Sequence, residues 1–201
     1  MCFESNVDRA LADLAAARYP RAEAVHVVPK AAGLYAVYGD GQAWSDLDLS
    51  PAFEGQPLYV GKAERTLNGR DVRTHFATGK TGSSTVRRSL AALLVDQLDL
   101  VAVPRNPARP DDSANYALDQ AGDERLSRWM DERLVLATWT KPVGLDLGEV
   151  ETAVLRRLLP PLNLAKVGQP RARLRGARAN MAAASRAWSA DGSPSEPACR
   201  R

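Results

Sequence analysis

Gly33-Leu34-Tyr35-Ala36-Val37-Tyr38 and, some twenty residues on, Pro57-Leu58-Tyr59-Val60-Gly61-Lys62 are the two runs on which the fold of this chain turns. Both have strand composition, and Gly39-Asp40-Gly41 supplies a turn after the first. The interval of residues 40–57 is irregular and acidic, too long for a tight hairpin, so the spacing predicts an antiparallel pair joined by a long loop. In each run a tyrosine stands beside a glycine. A slim backbone there lets a ligand approach, and a phenol can donate, accept or take a proton. Taken singly, each tyrosine reads as packing. The pair, with Lys62 and a basic segment downstream, reads as a site.

Outward from these strands the chain alternates helix and connection. An amphipathic helix is expected over 6–18, where Val7, Leu11, Leu14 and Ala15 recur at helical spacing and Pro20 ends it. Ala24 to Val28 reads as a short β-rich stretch closed by Pro29. Helices are expected over 68–77, from Ser84 or Thr85 to about Asp96, and over 123–131, with residues 104–121 as a loop rich in Pro, Asn and Asp. Leu134 to Trp139 is a third strand, and Glu149 to Leu159 a helix stopped by Pro160-Pro161. This is an α+β arrangement: a small three-stranded, mainly antiparallel sheet flanked by helices. Three parts are expected: an N-terminal helix and lead-in strand over 1–30, the main domain over 31–165, and a basic helical extension over 166–201 whose end is disordered.

Composition narrows the function. The 201 residues are 45% hydrophobic and 25% charged, ordinary for one globular domain with appendages. No apolar run is long enough to span a membrane, the start lacks the features of a secretory signal, and Cys2 and Cys199 at opposite ends suit a reducing cytoplasm. Two histidines exclude a histidine-rich metal site. Gly79-Lys80-Thr81 lacks the earlier glycine of a phosphate-binding loop, since position 74 is threonine, and Ser83-Ser84 lacks a glycine elbow. The net charge of +3 conceals two basic regions, a balance of +5 over Tyr59–Leu90 and of +6 over Leu164–Arg201. Basic regions on a mildly acidic body fit a polyanion contacted at defined places.

The ordered set resembles the GIY-YIG nuclease superfamily. Gly33-Leu34-Tyr35 matches the first tripeptide of that family with Leu for Ile, and Tyr59-Val60-Gly61 the second with Val for Ile. Arg70 corresponds to the helix arginine, with Arg73 one turn away as its rival, and His75 to the histidine that often follows. Glu151 corresponds to the metal-binding glutamate, with Glu149 as the alternative, and Pro161-Leu162-Asn163 to the closing segment whose asparagine ties down the sheet. The resemblance covers about residues 31–165, with 40–57 as an insertion. It implies metal-dependent endonucleolytic cleavage of DNA, branched or damaged forms included, with Mg²⁺ or Mn²⁺ as the cofactor, no small-molecule cofactor and no membrane partner.

The chemistry asks for the same residue types. A single carboxylate, Glu151, suits Mg²⁺, which keeps most of its waters. Arg70 pairs with a non-bridging phosphate oxygen through its planar fork. Tyr59, near Lys62, is the candidate general base, and Tyr35 orients the attacking water or the phosphate. Gly33, Gly61 and Asn163 support the site, and all these side chains are expected to converge on one pocket. Arg65, Arg73, Lys80, Arg87, Arg88, Arg171 and Arg175 are the candidate nucleic-acid contacts. The competing readings are a binding module on the same scaffold without turnover, and a structural or partner-binding protein.

Overall fold

In the computed structural model, residues 3–67, 75, 77–106, 108–109, 115–168 and 171–188 are described. The helix expected over 68–77, with Arg70 and Arg73, lies largely outside them. The elements run α1 (Phe3–Ala15), β1 (Tyr19–Pro20), α2 (Arg21–Val27), β2 (Gly33–Gly39), α3 (Gly41–Asp46), β3 (Tyr59–Ala63), α4 (Thr85–Leu93), β4 (Ala102–Pro104), β5 (Tyr116–Leu118), α5 (Gln120–Arg133), β6 (Leu134–Thr140), α6 (Leu147–Leu158) and α7 (Ala172–Ala187). The main sheet is antiparallel throughout, in the order β1–β6–β2–β3, and β4 pairs with β5 in a separate two-stranded ribbon.

Strand β2 is the centre of the molecule. Both its neighbours are antiparallel, and six of its seven residues are buried, which is why Gly33–Gly39 reads as a continuous apolar run rather than an alternating one. Period-two alternation sends Leu34, Ala36 and Tyr38 to one face and Tyr35 and Val37 to the other. The first set packs with Val7, Ala10 and Leu14 of α1 and Val150, Val154 and Leu155 of α6. The second packs with Trp44 of α3, Val86 and Leu90 of α4, Leu126 and Met130 of α5, and Met181 of α7. Tyr38 fastens α1 to the sheet: its hydroxyl donates to the Leu14 carbonyl at 2.7 Å, and the Arg18 guanidinium lies 3.7 Å from its ring centroid.

The sequence reading holds for the α+β class and for three strands, and four differences have local causes. Ala24–Val28 is helical, not β-rich: only Ala24 of α2 is buried, so an exposed apolar run was mistaken for a strand. Tyr19–Pro20 becomes a fourth strand by pairing with Val135 and Leu136. Asp40, read as part of a turn, caps α3, its carboxylate accepting from Ala43 N at 2.7 Å. The stretch expected to be loop over 104–121 contains β5, which meets β4 across an intervening segment. No helix of the described residues is long and apolar enough to cross a membrane.

Candidate active site

The register of β2 against β3 sets Tyr35 opposite Gly61. The Tyr35 phenol therefore lies across the Gly61 backbone, and a Cβ at position 61 would stand 2.5 Å from the ring carbon that bears the hydroxyl. Glycine is required here by close approach, not by backbone angle. Gly61→Ala is expected to displace the phenol and destabilise the fold by about 1–3 kcal/mol, the usual cost of overpacking, measured by urea unfolding. Gly33 is similarly constrained, since a Cβ there would run into the Trp139 carbonyl and approach Leu67 Cδ1 at 2.9 Å.

Tyr35, Tyr59 and His75 form one aromatic cluster on the α4 face. The Tyr35 and Tyr59 ring centroids are 6.0 Å apart, and His75 lies 5.3 Å from the first and 6.4 Å from the second. All three are buried, Tyr59 the least so at 9% exposure. Tyr35 Oη is 2.5 Å from His75 Nε2, and His75 Nδ1 is 2.6 Å from Ser84 Oγ. Ser84 caps α4, its Oγ accepting from Arg87 N at 3.2 Å. The imidazole is thus hydrogen-bonded through both ring nitrogens, to the Tyr35 phenol on one side and to the residue that caps α4 on the other. Sequence reading found Ser84 only as a cap; its place nine residues after His75 carried no local signal of this contact.

Lys62 and Glu151 belong to the other face. Alternation along β3 turns Tyr59 toward α4 and Val60 and Lys62 toward α6, so the expected single pocket is instead two groups separated by the edge strand. Lys62 Nζ pairs with Glu64 Oε1 at 2.5 Å, and its pKa is raised, chiefly by that hydrogen bond, against some loss from burial, with Glu151 and Asp146 adding to the effect. It is held as a cation. Glu151, largely buried, pairs through Oε2 with Lys166 Nζ at 2.6 Å. Glu149 lines an exposed cleft with Phe3, Asp146, Gly148 and Arg156. Beside this group a cleft of about 430 Å³ is lined by Lys62, Ala63, Glu64, Arg65 and Thr66.

Asn163 joins the two sides. Its Nδ2 donates to the Val60 carbonyl at 2.7 Å and its Oδ1 accepts from Val60 N at 3.0 Å, filling both main-chain hydrogen-bonding positions of Val60 in the edge strand β3. The turn after α6 is thereby clamped to the strand that carries Tyr59 and Lys62. Asn163→Ala leaves two buried main-chain groups unpaired, with an expected loss of about 2 kcal/mol in chemical denaturation.

The candidate nucleic-acid contacts divide by burial. Arg65, Lys80 and Arg175 are exposed. Arg171 is half-buried, donating to the Leu159 carbonyl at 2.9 Å, where it fastens α7 to the end of α6. Arg87 was expected at a phosphate but is wholly buried: it pairs with Asp123 at 3.0 Å and donates to Ser127 Oγ at 2.9 Å and Thr81 Oγ1 at 3.0 Å. Asp123 also accepts from Gly79 N and from the Thr81 hydroxyl, so the Gly79-Lys80-Thr81 segment is an anchor for this buried pair. Arg88 is buried as well, without a carboxylate partner among the described residues. Arg70 and Arg73 lie outside the described residues.

The donor set suits a hard divalent ion in kind. Glu151 offers carboxylate oxygen, one of its two atoms paired with Lys166, and among the described residues no group of three His, Cys, Asp or Glu side chains forms a cage. One carboxylate is what an ion that retains its water shell requires.

A family model described as the GIY-YIG catalytic domain matches residues 51–180, well over half the chain. The match contains Tyr59-Val60-Gly61, Glu151 and Asn163 and begins after Gly33-Leu34-Tyr35. No curated protein and no solved structure matches the chain.

Proposed function

The chain belongs to the GIY-YIG nuclease superfamily, a nuclease-type family acting on nucleic acid, and from that premise we propose that it is a divalent-metal-dependent endonuclease that hydrolyses DNA phosphodiester bonds at the edge of β3. The observation that carries this reading is the clamp of Asn163 on Val60, which fixes the tyrosine cluster and the Lys62–Glu151 group on two sides of one strand edge. A phosphodiester laid along that edge would meet both.

The residue roles follow from their surroundings. Tyr59, the most exposed of the three buried rings, acts as general base toward the attacking water. Tyr35, hydrogen-bonded to His75, is kept in place to orient the attacking water or the phosphate. Lys62, a cation at neutral pH, lowers the charge at the phosphate, and Arg70 adds its planar fork, with Arg73 the alternative. Glu151 would hold the metal, Mg²⁺ or Mn²⁺, which when bound supplies Lewis acidity toward a phosphate oxygen. Arg65 and Lys80, exposed near these elements, and Arg175 on α7 contact the backbone of the nucleic acid.

The test is cleavage of end-labelled single-stranded, duplex and branched DNA and of RNA by protein freed of metal with EDTA, with Mg²⁺ or Mn²⁺ then restored. The expected result is cutting of DNA that appears only with metal. Cutting that persists in EDTA contradicts the metal, cutting of RNA alone contradicts the substrate, and binding without cutting supports the inactive module instead.

A further inference from the structure

Arg87 and Arg88 are adjacent in α4 and both buried, yet they are treated oppositely. Arg87 is neutralised by Asp123. Among the described residues Arg88 has uncharged partners alone: Nη1 donates to the carbonyl of Gly82 at 2.8 Å and of Thr81 at 3.4 Å, Nη2 meets Thr85 Oγ1 at 3.4 Å, and Nε has no partner. A buried cation without a carboxylate is costly, and carbonyl dipoles recover only part of that cost.

Around Arg88 the chain adds positive charge. The stem of Arg105 lies over Gly82, its Cγ 3.1 Å from where a Cβ on that glycine would be. Helix α7 packs against both α4 and β4 and brings in Arg178. Neither Arg105 nor Arg178 pairs with a carboxylate among the described residues. Burial first, then the charges of Arg178 and Arg105, push the Arg88 pKa down to about 10, while the Tyr116 and Tyr59 phenols act in the opposite direction. Arg88 N donates to the carbonyl of Ser84, whose hydroxyl meets His75 Nδ1, so this electropositive region and the tyrosine cluster share the start of α4.

We infer that Arg105 and Arg178, backed by the buried charge of Arg88, form a second phosphate-binding subsite that grips the nucleic-acid backbone beside the bond being cut. The inference rests on the nuclease reading above and extends it: no carboxylate of the described residues pairs with these arginines, and a substrate phosphate would supply the counter-charge. Arg105 is exposed and Arg178 half-exposed, so both forks can reach a phosphate, and Arg88 stays behind them as fixed charge.

The experiment is fluorescence anisotropy of labelled DNA and RNA duplexes in EDTA across a range of salt, with the full chain. Arg105→Ala/Arg178→Ala is expected to weaken binding on the order of tenfold per arginine and to flatten the log–log salt slope by about 2 units. Arg105→Lys/Arg178→Lys keeps the slope, and Arg9→Ala/Arg156→Ala, which removes the same charge from exposed positions on α1 and α6, changes it by less than one unit. The duplex bound more tightly identifies which backbone the subsite serves. An unchanged slope in the first variant, or an equal loss in the control, overturns the subsite, and the nuclease reading survives if cutting persists. A wild-type protein that neither binds nor cuts any nucleic acid overturns both.

Discussion

Tyr59→Phe is expected to leave the far-ultraviolet circular dichroism and the unfolding midpoint close to wild type while lowering the rate of phosphodiester cleavage by about 10²–10⁴-fold, the usual worth of a positioned general base. The substitution removes one oxygen and nothing else. The ring keeps its place in the apolar core with Leu58 and Ala63 and its contacts with Tyr35 and His75. Packing is conserved, so a loss of rate without a loss of stability isolates the chemical role of the hydroxyl. Binding of nucleic acid in EDTA, followed alongside, is expected to change little. Rate and fold lost together would instead make Tyr59 a packing residue, which is what a strand tyrosine taken alone most often is.

The second large effect is on stability. Arg87→Met removes the cation from a buried pair and strands Asp123, which accepts from Gly79 N, the Thr81 hydroxyl and Arg87 at once. Breaking such a pair from one side costs about 3–5 kcal/mol, because an uncompensated charge is left inside. In a chain of this size that lowers the melting temperature by about 10 °C. Arg88→Met is expected to cost far less, since it removes a buried cation that has no carboxylate to abandon. Urea unfolding of both variants checks the contrast. Equal losses would mean that the two arginines are held in the same way.

The fold was legible where one residue pattern met one physical demand. The glycine–tyrosine tripeptides marked β2 and β3, where the glycine proves to leave room for the phenol itself, and the tie made by Asn163 was implied by the likeness of Pro161-Leu162-Asn163 to the family's closing segment. Other features depended on partners far along the chain. Arg87 and Arg88 looked like a basic helix face, and nothing near them reveals that one meets Asp123, 36 residues later, while the other does not. Charge counting gives the sign of a segment but not its burial. Strand β5 hid in a segment rich in Pro and Asp because its pairing with β4 is a tertiary event. Tyr59 and Lys62 were expected in one pocket as parts of one site, yet in a strand an odd step means opposite faces.

The claim at the centre of this account is that Glu151 and the tyrosine cluster serve one hydrolytic site across the β3 edge. The most direct measurement is cleavage of end-labelled DNA in Mg²⁺ by wild type and by Glu151→Gln, purified identically, with the ends of the products identified. The account predicts discrete internal cuts from wild type, none above background from Glu151→Gln, and equal binding of the DNA by both in EDTA. Equal cutting by the two proteins would contradict it.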